Sequence, residues 1–117
     1  MQKALKIEIK NDDAKSVVVV HFDGDLDTVG YSDVKDEMSE FMKTFKKDFL
    51  VFDFHKLKFI NSEGIGYLME THAHLVKTNQ KLVLIGPNAH VQDVFSAIGI
   101  TSIIPVYDGI TEFLNTL

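Results

Sequence analysis

The apolar and polar positions of this chain fall into blocks of two different periods. From Leu5 to Lys10, Leu5, Ile7 and Ile9 alternate with Lys6, Glu8 and Lys10, the period of a half-buried strand. Asn11-Asp12-Asp13 reads as a turn. Ser16 to Phe22, with valine at every position from Val17 to Val20, reads as a strand covered on both faces. The two segments predict an opening hairpin.

After Gly24-Asp25-Leu26-Asp27 the period lengthens. Val34, Met38, Phe41, Met42 and Phe45 recur at helical spacing, with Lys35, Asp36, Glu37 and Glu40 on the other side. Phe49 to Phe54 predicts a buried central strand that ends near Asp53, and Leu57 to Ile60 a short extended piece leading into Asn61-Ser62. A second helix begins there and is predicted to bury Ile65, Leu68, Met69, His72, Leu75 and Val76. Lys81 to Ile85 predicts a further strand, closed by Gly86-Pro87-Asn88. Val91, Val94, Phe95 and Ile98 mark a third helix, stopped at Gly99 as a C′ glycine stops one. Ile100 to Val106 predicts a short strand interrupted by Pro105, hence an edge or a strand end. Asp108 is placed to cap a last helix carrying Ile110, Phe113, Leu114 and Leu117. The order β-β-α-β-α-β-α-β-α predicts a single α/β domain over residues 1–117. Its sheet is largely parallel, made mixed by the opening hairpin, and it carries about four helices.

Composition narrows the function. At 117 residues, 45% hydrophobic and 25% charged, the chain suits one hydrophobic core. Cysteine is absent, which removes disulfides, thiolate catalysis and cysteine-ligated zinc. Lys3 and Lys6 lie where a signal peptide needs a continuous apolar stretch. No apolar run approaches the roughly 20 residues that span a bilayer, so the expected location is cytoplasmic. The net charge is −5 and arginine does not occur, whereas nucleic-acid binders concentrate basic charge and use arginine's fork. Lys43, Lys46 and Lys47 end a predicted helix, where cations suit the helix dipole. Nucleic acid is not an expected partner.

The segment from Asp53 to Gly66 is the most informative. A buried strand leaves the core, and Asn61-Ser62 meets a helix whose first turn holds Gly64 and Gly66. Glycines there cost roughly 1 kcal/mol each against alanine, offset where another backbone, of a neighbouring element or a partner, comes close. Ser62 faces free N–H groups and the positive end of a helix dipole. Two readings stay open on these residues alone: a plain cap, or a hydroxyl whose phosphorylation would be stabilised there and would disrupt an apolar contact. His72 and His74 point to different faces, with His72 on the apolar stripe, and His21, His55 and His90 have no acids at ligand spacing. No metal, cofactor or catalytic set is expected, since Ser62 also lacks the glycine two positions earlier of a nucleophile elbow. Met38, Met42 and Met69 read as core filling.

Two patches, Gly24-Asp25-Leu26-Asp27 and Phe59-Ile60-Asn61-Ser62-Glu63-Gly64-Ile65-Gly66, carry a resemblance. The chain resembles a STAS domain, the family of bacterial anti-sigma factor antagonists, whose signature reads Asp-Ser-x-Gly-Leu-Gly. The resemblance implies that Ser62 is phosphorylated by a serine kinase that is also the anti-sigma factor. It implies too that a serine phosphatase resets the cycle and that Asp27 lies near Ser62. The implied partner surface is Asp25, Asp27, Thr28, Asn61, Ser62, Glu63, Gly64 and Ile65. Asn61 stands where the signature has an acid, and Glu63 returns a charge on a different vector. The departure leaves open a constitutive STAS scaffold subunit of a transporter or signalling assembly. A receiver-like phosphoprotein using Asp53 is the further alternative. A receiver needs an acidic pair after its first strand and a lysine after its last, whereas here the acids follow the second strand of a hairpin and Pro105 to Asp108 holds no lysine.

Overall fold

The computed structural model describes residues 2–12 and 15–117. Five strands lie side by side in chain order: β1 Leu5–Asp12, β2 Val17–Leu26, β3 Phe49–Ile60, β4 Lys81–Ile85 and β5 Val106–Tyr107. β1 and β2 form the predicted antiparallel hairpin, and the remaining pairings are parallel. Helices α1 Thr28–Thr44, α2 Ser62–Lys77, α3 Ala89–Ile98 and α4 Ile110–Leu114 complete the predicted order. Among the described residues no helix is long and apolar enough to cross a membrane.

Crossovers between parallel strands are right-handed in nearly all cases. Because β2 to β5 follow one another across the sheet in a single direction, α1, α2 and α3 all land on one face. The strand residues alternate to match. Val18, Val20 and Phe22, Leu50, Phe52 and Phe54, and Leu82 and Leu84 face Val34, Met38, Leu68, Leu75, Val91 and Phe95 in the main core. Phe22 meets Phe52 and Phe54 edge-on, with ring centroids 4.8 and 5.3 Å apart, a geometry favoured by the ring quadrupoles. The other face is covered only in part, by α4, whose Phe113 packs with Val17, Val51, Val83 and Ile85.

Several local expectations are corrected. Asn11 and Asp12 extend β1, paired with Val18 and Val17, while Asp13 of the predicted turn lies outside the described residues. β2 runs on through Gly24 and Asp25 to Leu26, and β3 is one strand rather than two pieces. Register shifts after His21 and after Gly24 each place an extra residue on β3, which breaks the period-two pattern and makes the sequence look interrupted. Asp53 therefore sits inside β3, not at a strand end.

The buried stripe of α2 is Gly64, Leu68, Thr71 and Leu75. His72 is only half-buried and Val76 is 58% exposed, a rotation of the stripe away from the apolar count. Phe45 is buried just beyond α1. Ile98, still within α3, and Leu117 are exposed. Ile100–Ser102 forms a 3-10 turn, and only Val106 and Tyr107 pair as a strand, after Pro105. Gly99 ends α3 in the left-handed conformation, as expected, but Gly109 rather than Asp108 precedes α4, with no side-chain cap.

A buried position of β3 and an exposed position of α2 give a direct check. Phe52→Ala should cost about 3–5 kcal/mol in urea unfolding, whereas Val76→Ser should stay within about 0.5 kcal/mol of wild type.

Candidate functional site

β2 and β3 end level with each other, Leu26 opposite Ile60. The next residue of each strand is a helix cap. Asp27 Oδ1 accepts from Gly30 N at 2.8 Å, and Asn61 Oδ1 accepts from Gly64 N at 3.1 Å. Asn61 N also donates to Leu26 O at 3.3 Å, joining the two strand ends. The same four-residue device, cap to glycine, thus starts both helices: Asp27-Thr28-Val29-Gly30 and Asn61-Ser62-Glu63-Gly64. Each glycine is required by close approach. A Cβ on Gly30 would fall 1.8 Å from Asp25 O, and one on Gly64 would fall 2.3 Å from Leu26 O.

The plain-cap reading of Ser62 is removed by this arrangement, because Asn61 is the cap. Ser62 is the first helical residue and is exposed. In that position its N–H and that of Glu63 have no intrahelical acceptor. Thr28 Oγ1 donates a hydrogen bond to Glu63 Oε2 that ties the start of α1 to the start of α2. Of the residues singled out, Asp27, Thr28, Asn61, Ser62 and Glu63 gather at this end of the sheet, with Gly64 buried beneath and Ile65 half-buried. Asp25 contributes backbone: its N–H donates to Ala4 O at 3.0 Å and its carbonyl faces Gly30. Asp27 uses its carboxylate on α1, so the direct side-chain link between the helix starts is Thr28 to Glu63. Gly66, unlike Gly64, has nothing within 4 Å of the place a Cβ would take. No neighbouring element accounts for it.

A family model described as "STAS domain" matches residues 7–113. The chain belongs to the STAS domain family. An anti-sigma F factor antagonist of Paenibacillus polymyxa is 21% identical over 113 residues, covering 97% of each chain. Among solved structures, an anti-sigma factor antagonist from Mycobacterium paratuberculosis superposes with a TM-score of 0.83 at 19% identity, covering 96% of this chain and 92% of that one. A sulfate transporter family protein from Wolinella succinogenes gives a TM-score of 0.72 at 16% identity, covering 86% and 84%.

One group in this STAS domain was missed by spacing along the sequence. Asp53 Oδ2 lies 2.7 Å from His21 Nδ1, and Oδ1 lies 2.5 Å from His55 Nδ1 and 3.0 Å from His55 N. The sequence shows no clustered acids at ligand spacing for His21 and His55, and the fold brings one carboxylate, Asp53, beside both rings. Asp53 and His55 are two apart on β3 and share a face, and His21 is directly across from Asp53 in the parallel register. Burial works to raise the Asp53 pKa, but the hydrogen bonds from the His55 N–H, the His55 ring and the His21 ring outweigh it and hold the carboxyl below the usual range. Both oxygens of the receiver-like candidate are thus engaged by histidines. No group of three or more His, Cys, Asp or Glu able to hold a metal is found among the described residues.

The glycines of α2 separate by stability. Gly64→Ala should destabilise by about 1–3 kcal/mol, since backbone must shift, while Gly66→Ala should stabilise by up to about 1 kcal/mol; thermal unfolding of both variants checks this. A depressed carboxylate contributes stability above its unfolded pKa of about 4 and loses it as pH falls through the lower folded value. Wild type should therefore lose more stability than Asp53→Asn between about pH 5 and pH 2, measured by urea unfolding across that range.

Proposed function

We propose that this STAS domain is an anti-sigma factor antagonist, a binding protein rather than an enzyme. On this reading its contact with an anti-sigma factor that is also a serine kinase is released by phosphorylation of Ser62. The observation that carries the reading is the state of Ser62: an exposed hydroxyl at the first position of α2, relieved of capping by Asn61. The names of the relatives support the antagonist class.

The chemistry follows from the position. A phosphoserine brings about −1.5 to −2 charges. At the first helical residue it meets two N–H groups without intrahelical acceptors and the positive end of the helix dipole. It also adds charge beside Glu63, the next residue, whose carboxylate is engaged by Thr28 at the start of α1. A partner that packs flat on this end in the unphosphorylated state would then face a charge it must desolvate. The proposed partner surface is Asp25, Asp27, Thr28, Asn61, Ser62, Glu63, Gly64 and Ile65, with the open flank of Gly66 beside it. A serine phosphatase would restore binding, and the cycle places the protein in the bacterial cytoplasm.

The test uses the anti-sigma kinase of the protein's own host. With that kinase and ATP, mass spectrometry should find one phosphate, on Ser62, and none on Ser62→Ala. Ser62→Asp should bind the kinase more weakly by about 1–3 kcal/mol, roughly 5- to 150-fold, while Ser62→Ala binds as wild type does. Equal binding by all three proteins, with no phosphate taken up, would overturn the switch. It would favour a constitutive scaffold subunit of a transporter or signalling assembly.

A further inference from the structure

β1 closes one side of the sheet and leaves its own outer edge open. Asp25 N donates to Ala4 O at 3.0 Å, and Leu5 stands opposite Gly24. Hydrogen-bonded and non-hydrogen-bonded pairs alternate along an antiparallel ladder. The peptide groups of Lys6, Glu8, Lys10 and Asp12 therefore turn toward β2, and those of Ile7, Ile9 and Asn11 turn outward. The start of the edge is occupied by Asp33 of α1, whose carboxylate accepts from Ala4 N at 2.7 Å and from Leu5 N at 3.4 Å. Beyond it, among the described residues, no strand lies alongside Ile7, Ile9 and Asn11.

Sheets blunt such edges by keeping them short or by placing charges that repel a second strand. β5, on the other side, is only two residues long, Val106–Tyr107. β1 has eight residues and takes neither course. Its charges alternate in sign: Lys6 positive, Glu8 negative, Lys10 positive, Asp12 negative. All four stand on the face away from α1, because Leu5, Ile7 and Ile9 pack on the main core. A strand with that order of charges is complementary to itself.

We infer that β1 is a dimerisation edge, to which a second copy of this chain adds antiparallel about a two-fold axis at Ile9. That axis sets Lys6 opposite Asp12 and Glu8 opposite Lys10, each twice. An axis at Ile7 would match only Lys6 with Glu8, and one at Asn11 only Lys10 with Asp12. Ile9 is also the middle of the run that Asp33 leaves open, so backbone and charge select the same register independently. Ile9 then exchanges hydrogen bonds with its own copy, and Ile7 with Asn11. The charged residues fall in the closer, non-hydrogen-bonded pairs, where opposite signs stabilise and like signs destabilise. The pair from Lys10 to Glu8 within one strand, at 3.0 Å, is well exposed and worth little by itself. In the dimer, Glu8 lies between that lysine and Lys10 of the second copy. Ile7 and Ile9, half-buried at the margin of the core, gain cover. Whole chains of net charge −5 repel one another, but the four charges of β1 cancel, so this edge adds no repulsion of its own. The contact is isologous and closes at two copies. The inference does not rest on the reading of Ser62, which starts α2.

Sedimentation equilibrium of the intact chain tests this. The paired run is short, so association is of the weak kind, and the average mass should rise from one chain toward two between about 20 μM and 1 mM. Glu8→Lys sets like charges opposite each other twice and should weaken association about tenfold or more, although it reduces the net charge of the chain. Lys10→Glu should do the same. An equimolar mixture of the two variants restores opposite charges at every pair and should associate as wild type does. The chain carrying both substitutions should do so too. Amide hydrogen exchange at Ile7, Ile9 and Asn11 should slow as the wild-type concentration rises. A wild type still monomeric at about 1 mM would overturn the dimer. Single variants that associate like wild type, or a mixture no better than its components, would overturn the register. Exchange that slows only in other segments would overturn the edge, and this wild-type measurement stands whatever the variants do.

Discussion

The handedness of parallel crossovers is the constraint from which the rest of this molecule follows. Strands β2 to β5 advance across the sheet in one direction, and right-handed connections then leave no choice of face for α1, α2 and α3. That single fact builds the main core on one side and exposes much of the other. The register between β2 and β3 brings their C-terminal ends level, so that two helices begin next to each other. Helix N-termini carry free N–H groups and positive potential. An exposed hydroxyl placed there is accordingly in a different electrostatic setting from a serine elsewhere on the surface.

The two helix starts are built alike, and the likeness explains the division of labour among their residues. In each, a short polar side chain takes the N–H of the glycine three residues on, and that glycine presses against the strand that came before. Capping needs one acceptor, which Asp27 and Asn61 provide. The residues between cap and glycine are then free of structural duty to their own helix. Thr28 and Glu63 spend that freedom on each other across the junction. Ser62, the first residue of α2, makes no such link and stays exposed.

Much of this was legible in the sequence, because the main elements obey a local period. The alternation from Leu5 to Ile9, the valine run and the spacing in α1 gave element types and order directly. The failures have a common cause in packing that acts across elements. Extra residues on β3 opposite His21–Asp23 and Gly24–Asp25 hid the continuity of the strand. The stripe of α2 is set by Gly64 lying on Leu26, so Thr71 turns inward and Val76 outward. A threonine can take that place because its hydroxyl is satisfied by Tyr67 O at 2.9 Å. The His21–Asp53–His55 group depends on the register between two strands that lie far apart in the sequence. Spacing along the chain does not contain that register.

Asn61 marks where this chain departs from the signature it resembles, and its geometry shows what the change does. An asparagine Oδ1 caps as well as a carboxylate does, so the helix start keeps its form while losing a charge. The acid of this segment sits instead at Glu63, one residue beyond Ser62 and fastened to α1 through Thr28. A negative group at the cap is spread over the N–H groups of its own helix. One at Glu63 engages the hydroxyl of the neighbouring helix. A phosphate on Ser62 would bring its charge against the Glu63 carboxylate and offer Thr28 a stronger acceptor. The charge would then act on the junction of α1 and α2 as well as on α2 alone. If Ser62 is phosphorylated as proposed, its phosphate would compete with Glu63 for the Thr28 hydroxyl, and the charge would be applied from the first residue of α2.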